Sequence, residues 1–269
     1  MEARTRRARR RRKPVTGRTH AERGPYEGLL NIVRFNWPMF ATAVVLVTTA
    51  FLWAALTAPS LGSRVGAMLA LVAVAATAFS LAVSHVVYDR SDLYGFTWIN
   101  RAIEGLSVRN ALFCQTGFDE CSARLIERLP TAWSLLDHFD PRWMTEPSIR
   151  RARLRCPPAR GTVPAPFDAW PTPTASVDLV IGMLAIHELR SEAERGRWFA
   201  EARRSLRPDG RVVVAEHVRD VANFLAFGPG ALHFHSPSSW RRSWESASLR
   251  ARDEFRVTPW VRIFVLEPQ

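Results

Sequence analysis

Two histidine and glutamate pairs follow apolar runs in the second half of the chain. His187-Glu188 comes just after the run of residues 177–184, and Glu216-His217 ends the next apolar run. An imidazole exchanges a proton near neutral pH, so it can deprotonate a substrate nucleophile or orient it. His187 and His217 are therefore the predicted catalytic residues. The alternative for His187 is a capping or buried histidine.

A strand–helix–strand unit is predicted to position these pairs. The near-continuous apolar run of residues 177–184 is typical of a strand covered on both faces. Ser191 and Glu194 form a capping box at the start of a helix, and Pro208-Asp209-Gly210 ends that helix. Two parallel strands joined by a helix form a right-handed crossover in an α/β sheet, where ligands sit at the carboxyl ends of the strands. Both histidines fall at such ends.

The same stretch carries motifs of a known family. Asp168-Ala169-Trp170-Pro171 precedes the strand sequence Ser176-Val177-Asp178-Leu179-Val180, and Leu206-Arg207-Pro208-Asp209-Gly210 precedes the next strand. In these motifs the chain resembles class I S-adenosylmethionine-dependent methyltransferases, over roughly residues 105 to 267. The resemblance implies an α/β fold with a Rossmann-like methyltransferase sheet, flanking helices and a closing antiparallel hairpin. It also implies S-adenosylmethionine as the cofactor.

The resemblance further implies which side chains hold this cofactor. Gly117 follows the first strand, where the family has a glycine-rich loop. Asp137 follows the second strand, where an acid accepts hydrogen bonds from the ribose, and Asp140 is the second choice for that role. Asp168 resembles the acid that accepts from the adenine amino group. Trp170 is predicted to pack on the adenine ring, with core or loop packing as the alternative.

The N-terminal third of the chain differs in composition from the rest. Residues 1–20 hold nine Arg or Lys against one Glu, residues 35–63 carry no charged side chain, and a second apolar run covers Val65–Tyr88. Apolar runs of this length span a bilayer as helices, and basic residues favour the cytoplasmic side. We therefore predict a basic, disordered cytoplasmic tail at 1–34, a transmembrane helical hairpin at 35–90, and a methyltransferase-like α/β domain at 91–269. Two buried helices of a soluble protein are the alternative to the hairpin.

The segment Phe224–Phe234, beyond the second histidine pair, is unusually apolar and contains a Gly-Pro-Gly sequence. We predict that it forms a lid over the substrate, because glycines permit hinge motion and the apolar side chains suit a lipophilic molecule or the membrane surface. The alternative is that Phe224, Leu225 and Phe227 are core residues of an extra helix.

These features together predict an S-adenosylmethionine-dependent methyltransferase, anchored in the cytoplasmic membrane with its catalytic domain facing the cytoplasm. Its predicted partners are a small lipophilic substrate and membrane lipids, whose anionic headgroups attract the basic tail. Nucleic acid is not an expected partner. No metal site is predicted, because His217, His233 and His235 lack a recognised ligand spacing. The alternative function is a catalytically inactive methyltransferase-fold binding or regulatory protein at the membrane, which the presence of Gly117 alone among the family's glycines favours.

Overall fold

The computed structural model describes residues 23–269, and the first part of the predicted basic tail lies outside these residues. A seven-stranded sheet has the order β3-β2-β1-β4-β5-β7-β6. Strand β7 runs antiparallel to β5 and β6, and the other paired strands are parallel. The strands are β1 Asn110–Gln115, β2 Ala132–Asp137, β3 Val163–Pro164, β4 Val177–Met183, β5 Leu206–His217, β6 Leu249–Thr258 and β7 Val261–Pro268.

Nine α-helices are present in the described part of the chain. They are α1 Glu27–Phe35, α2 Trp37–Leu56, α3 Leu61–His85, α4 Ile99–Ala102, α5 Ser122–Arg128, α6 Pro147–Arg155, α7 Glu192–Ser205, α8 Val221–Phe227 and α9 Pro237–Glu245. The mixed sheet with its flanking helices confirms the predicted Rossmann-like α/β fold, including the antiparallel hairpin of β6 and β7 at one edge.

Strand β4, helix α7 and strand β5 form the predicted crossover. The hydroxyl of Ser191 accepts a hydrogen bond from the backbone N–H of Glu194, whose carboxylate accepts from the N–H of Ser191, so the capping box is present. Helix α7 buries Trp198 and Phe199 completely. Gly210, within β5, lets this strand lie close to β4, because a Cβ at this position would lie 3.0 Å from the carbonyl oxygen of Asp178.

Two apolar cores cover the two faces of the sheet. Val180 points into the core that contains Trp198 of α7, whereas its neighbour Ile181 points into the core that contains Leu93 and Phe96 of the segment after α3. All residues of β4 are buried. This two-sided burial is the physical reason that β4 has a continuous apolar sequence rather than an alternating one.

Helix α2 and most of helix α3 lie outside these cores, and α3 joins one of them through Val83 near its end. The candidate spans Trp37–Leu56 and Leu61–Arg90 are long and apolar enough to cross a membrane, and only 0% and 6% of their most apolar windows are buried. Helix α3 continues without a break into a π-helical turn, Val86–Arg90. Length and composition alone are weak evidence for a membrane hairpin, but this exposure differs from that of a helix in a soluble core.

Helix α1 lies within the segment predicted as a disordered tail, so the folded part of the chain begins before residue 34. The carboxylate of Asp89, in the π-helical turn after α3, accepts hydrogen bonds from the backbone N–H groups of Gly28 (2.6 Å) and Leu29 (3.0 Å). Such an acceptor satisfies the free N–H groups at a helix start and suits the positive end of the helix dipole. A Cβ at Gly28 would collide with the Cβ of Tyr88. Glycine therefore permits the close approach of α1 to α3.

Candidate active site

The turn after β4 is organised by one buried carboxylate from β5. Glu216 is fully buried, and its Oε1 accepts hydrogen bonds from the backbone N–H groups of Ala185 (3.0 Å), Ile186 (2.8 Å) and His187 (3.3 Å). Its Oε2 lies 2.7 Å from Nδ1 of His187. Because β4 and β5 are parallel neighbours, their carboxyl ends meet and bring this pair together. Glu216 thus sets both the backbone and the imidazole orientation of the predicted catalytic residue.

The other ring nitrogen of His187 faces a second carboxylate. Its Nε2 lies 3.4 Å from Oε1 of Glu188, which also lies 3.7 Å from Nε2 of His233. Burial alone lowers the pKa of His187, but the charge of Glu216 and the hydrogen bonds to both carboxylates outweigh it and raise that pKa to about 10. His187 is therefore an imidazolium near neutral pH.

The same side chains approach the geometry of a metal site. Ligand atoms of His187, Glu188 and His233 all lie within 4.8 Å of one another. However, Nη1 of Arg190 lies 3.1 Å from Nε2 of His233 and also donates to the carbonyl oxygens of His233 and His187. The positively charged guanidinium of Arg190 occupies Nε2 of His233 and would repel a metal cation at this nitrogen. The cluster is therefore better described as an ion-pair network.

His217 is held on both ring nitrogens. Its Nε2 lies 2.9 Å from the hydroxyl of Tyr88, and its Nδ1 faces Oδ1 of Asn223 (3.0 Å) and the carbonyl oxygen of Trp260 (2.9 Å). Burial lowers the pKa of His217 to about 4, so the ring is neutral under most conditions. In this arrangement His217 connects the end of α3 to β5, and its predicted catalytic role stays a prediction.

The two predicted catalytic histidines share one neighbour. The ring of Phe234 stacks on His217 at a centroid distance of 4.9 Å and meets His187 edge-on at 6.3 Å. Phe227 of α8 also packs on His217, at 5.5 Å. The segment predicted as a lid therefore covers the carboxyl ends of β4 and β5.

The predicted cofactor residues Gly117 and Asp137 lie together at the ends of β1 and β2. Gly117 has a φ of +109°, which suits glycine, and Asp137 is 6% exposed. Both are joined by Arg153 of α6, which donates to the carbonyl oxygen of Gly117 (2.6 Å) and to Oδ2 of Asp137 (2.9 Å). Its guanidinium also lies 4.0 Å over the ring of Phe139.

Several buried polar atoms around this point have no hydrogen-bond partner. They are both amide atoms of Gln115, the hydroxyl of Thr116 and Nε2 of His138. Such atoms cost about 1–3 kcal/mol each when unsatisfied, so their concentration at the strand ends is typical of a ligand site. Together with the acceptor Asp137 and the backbone of Gly117, they fit a polar, hydroxyl-bearing cofactor.

The cavity at the carboxyl ends of the strands is small. A cavity of about 30 Å³ lies against Thr116, Phe118, Tyr94 and Leu184. That volume holds about two water molecules, far less than a nucleoside needs. The donor and acceptor set therefore fits the predicted cofactor, whereas Arg153 occupies the acceptor atoms of Asp137 and Gly117.

Asp168 and Trp170 occupy different environments. The carboxylate of Asp168 is ion-paired with Arg197 of α7 at 3.0 Å and lines an open surface depression of about 540 Å³. Trp170 is 6% exposed, stacks on His138 at 5.5 Å and belongs to the core next to Trp198. The structure thus gives Trp170 the packing role named as its alternative, while the adenine contacts of both residues stay predictions.

Sequence reasoning did not predict the contacts of two residues that shape the site. Glu216 was visible as an acid at a strand end, but its contacts with the turn after β4 depend on strand pairing. Arg153 belongs to a run of arginines on α6, where nothing local separates it from its exposed neighbour Arg155. Its distinguishing feature is the distant partner Asp137.

The fold and one stretch of sequence match known proteins. A family model described as a methyltransferase domain matches residues 144–214, which cover α6 to most of β5. The mitomycin 7-O-methyltransferase MmcR is similar in structure, with a TM-score of 0.51 and 15% identity over 91% of this chain and 73% of that one. A methyltransferase from Leishmania major has a TM-score of 0.49 at 15% identity over 82% and 83% of the two chains. One from Aquifex aeolicus has 0.49 at 14% over 71% and 97%. No curated protein matches the chain.

These findings identify a domain and a fold. The domain match covers the β4–α7–β5 crossover that carries His187, and the likeness to MmcR shows the fold. Residues 144–214 thus match a methyltransferase domain, and the chain has the Rossmann-like sheet of this fold.

Proposed function

We propose that the chain is an S-adenosylmethionine-dependent methyltransferase that is anchored in the cytoplasmic membrane and methylates an acidic oxygen, such as a phenol hydroxyl, on a small lipophilic acceptor. The observation that carries this proposal is His187, held as an imidazolium by Glu216 beneath the apolar segment of Phe227 and Phe234. A charged pair, His187 with Glu216, therefore lies under apolar side chains at the carboxyl ends of β4 and β5, where ligands of α/β sheets bind.

The charge state of His187 determines its proposed role. An imidazolium cannot take a further proton, so it orients an oxygen that has already lost its proton, in place of the contact with Glu188. When bound, S-adenosylmethionine would supply a methyl group on a positively charged sulfur, and the leaving group would be a neutral thioether. The acceptor oxygen would provide the electron pair of the new bond, and His187, itself oriented by Glu216, would hold that oxygen. Asp137, Gly117 and the orphaned groups beside them would hold the cofactor.

The exposed apolar surface supports the membrane setting. Val221, Phe224 and Leu225 of α8 are 75%, 51% and 70% exposed, and Leu232 beyond it is 59% exposed. Helix α8 packs beside α3, so this surface continues the apolar surface of the candidate hairpin. A bilayer would bury both surfaces together and bring a lipophilic acceptor to the covering segment. The Arg-rich tail favours the cytoplasmic side.

The proposal is tested with the full chain in lipid nanodiscs. We expect calorimetry to show binding of S-adenosylhomocysteine, and radiolabelled methyl groups to pass to a lipophilic phenol but not to its O-methyl ether. His187→Gln should reduce turnover by about 100-fold, in the range of a lost charged contact to the reacting oxygen, with cofactor affinity unchanged. The exposed residue Arg219 offers a matched control, because Arg219→Gln removes a cation beyond β5.

Each result bears on a different part of the proposal. Equal turnover by His187→Gln and the wild type would remove His187 from the reaction. Release of the chain from membranes by high salt alone would exclude the hairpin as an anchor. Absence of cofactor binding in the wild type and in all variants would favour the catalytically inactive binding protein, an alternative that the closed cleft at Arg153 supports.

A further inference from the structure

The cofactor cleft is closed by two helices from different parts of the chain. Arg153 of α6 donates hydrogen bonds to the carboxylate of Asp137 and to the carbonyl oxygen of Gly117. These are the two groups that we expect to face the cofactor. Its side chain is 23% exposed and that of Asp137 is 7% exposed, so the ion pair lies largely inside the protein. Arg153 thus presents a planar cation where the cofactor's ribose hydroxyls would donate.

Helix α1 covers the adjacent end of β1. The side-chain amide of Asn31 donates to Oε1 of Glu120 at 2.6 Å, and the hydroxyl of Tyr94 donates to the other oxygen at 3.0 Å. Phe35 packs edge-on against Phe118 at a centroid distance of 5.5 Å. Both Glu120 and Phe118 line the small cavity at the strand ends. Helix α1 therefore forms the roof of this part of the cleft.

The two helices are joined to each other. Nε of Arg151 on α6 donates to the carbonyl oxygen of Phe35 at the end of α1, at 2.6 Å. The other end of α1 is fixed to α3 by the carboxylate of Asp89. Because α1 and α6 contact each other and lie over the same part of the sheet, we expect them to move together when the cleft opens.

We propose that α1 and α6 form a gate over the cofactor cleft, closed by Arg153 on Asp137 and by Asn31 on Glu120. This inference rests on the proposed function, since it concerns access of the cofactor to the same site. Release of Arg153 frees Asp137 as an acceptor, and withdrawal of α1 exposes the unsatisfied groups of Gln115 and Thr116. The closed arrangement competes with the cofactor and so is autoinhibitory.

The test measures S-adenosylhomocysteine binding to the full chain in nanodiscs. Arg153→Met keeps the length and packing of the side chain but leaves Asp137 free. We expect binding at least about tenfold tighter, the factor that corresponds to about 1.4 kcal/mol. Arg155→Met is the matched control, because Arg155 lies on the same helix and is exposed. Asn31→Ala should raise the association rate, measured by stopped-flow fluorescence, while Arg34→Ala, an exposed change on α1, should not.

The outcomes separate the gate from the proposed function. Weaker or equal binding by Arg153→Met, with a wild-type melting temperature, would overturn the gate. If that variant does not fold, the gate is tested by hydrogen exchange of the wild-type protein. Saturation with S-adenosylhomocysteine should change exchange in residues 27–35 and 147–155, and unchanged exchange there would reject the gate. If neither the wild type nor any variant binds S-adenosylhomocysteine, the proposed function is refuted. If the wild type binds it and the variants bind with the same affinity and association rate, the gate alone is refuted.

Discussion

Replacing Glu216 by Gln tests the organisation of the active site most directly. The introduced amide keeps an oxygen for the backbone N–H groups of Ala185 and Ile186, so the turn after β4 should survive. Its NH₂ group, however, cannot accept the proton that His187 donates from Nδ1. The variant therefore removes the charged hydrogen bond at 2.7 Å while preserving most of the packing.

The size of the effect follows from the contacts of His187. A hydrogen bond to a charged group contributes about 1.5–3 kcal/mol, which corresponds to a fall of about one to two units in the pKa of His187. The wild-type pKa of about 10 lies above the ordinary 6.5, so the proton on His187 stabilises the fold fully below pH 6.5. That stabilisation, at most about 5 kcal/mol, is lost as the pH rises from 6.5 toward 10.

The measurement is the titration of the His187 ring by NMR, assigned with His187→Gln, together with melting temperatures between pH 7 and pH 10. Glu216→Gln should lower the pKa of His187 and flatten the decline of melting temperature over this range. Glu245→Gln, an exposed change at the end of α9, should alter neither. A Glu216→Gln protein with the wild-type titration would refute the view that Glu216 maintains the imidazolium.

Four further outcomes are expected. The pKa of His217 is lowered to about 4 by burial, so its neutral ring stabilises the fold above pH 6.5, and about 3 kcal/mol is lost as the pH falls from 6.5 to 4. In His217→Gln, the free energy of unfolding, measured by chemical denaturation, should fall less between pH 6.5 and pH 4. Asp178→Ala should lower the free energy of unfolding by about 1–3 kcal/mol, because its carboxylate accepts from two backbone N–H groups and an arginine. Phe224→Ser should spare the melting temperature and reduce turnover of a lipophilic acceptor, while a sharp fall in melting temperature would assign this side chain to the core. Asp137→Ala should weaken S-adenosylmethionine binding by about 1–3 kcal/mol, and Asp168→Ala should do so only if its carboxylate leaves the surface ion pair for adenine.

Local sequence patterns predicted the helices and strands whose formation depends on residues close together in the chain. The capping box of Ser191 and Glu194 and the buried run of β4 each depend on neighbours within a few residues, and both are present. The predicted turn at Pro208-Asp209-Gly210 instead lies inside β5, where the pairing with β4 is irregular. The parallel pairing of β4 and β5 then follows from the right-handed crossover rule, which placed His187 at a ligand-facing edge.

Contacts between distant segments could not be predicted in this way. The pairing of Arg153 with Asp137 depends on where α6 packs, and an arginine-rich helix alone gives no such register. Helix α1 was assigned to the tail because the basic composition before residue 20 dominates that region. Its order comes from Asp89, an acid that lies 60 and more residues away along the chain.

The candidate hairpin of α2 and α3 is attached to the domain at both of its ends. Phe35, just before α2, packs on Phe118, and Tyr88, just after α3, reaches His217 at 2.9 Å. A single flexible tether would let a domain swivel through many orientations. Two short attachments remove that rotational freedom, so in the proposed bilayer the domain would diffuse in two dimensions with one fixed face toward the lipid. Acceptors would then be selected by the depth at which their reactive oxygen lies, a form of selectivity that requires no additional contact with the protein.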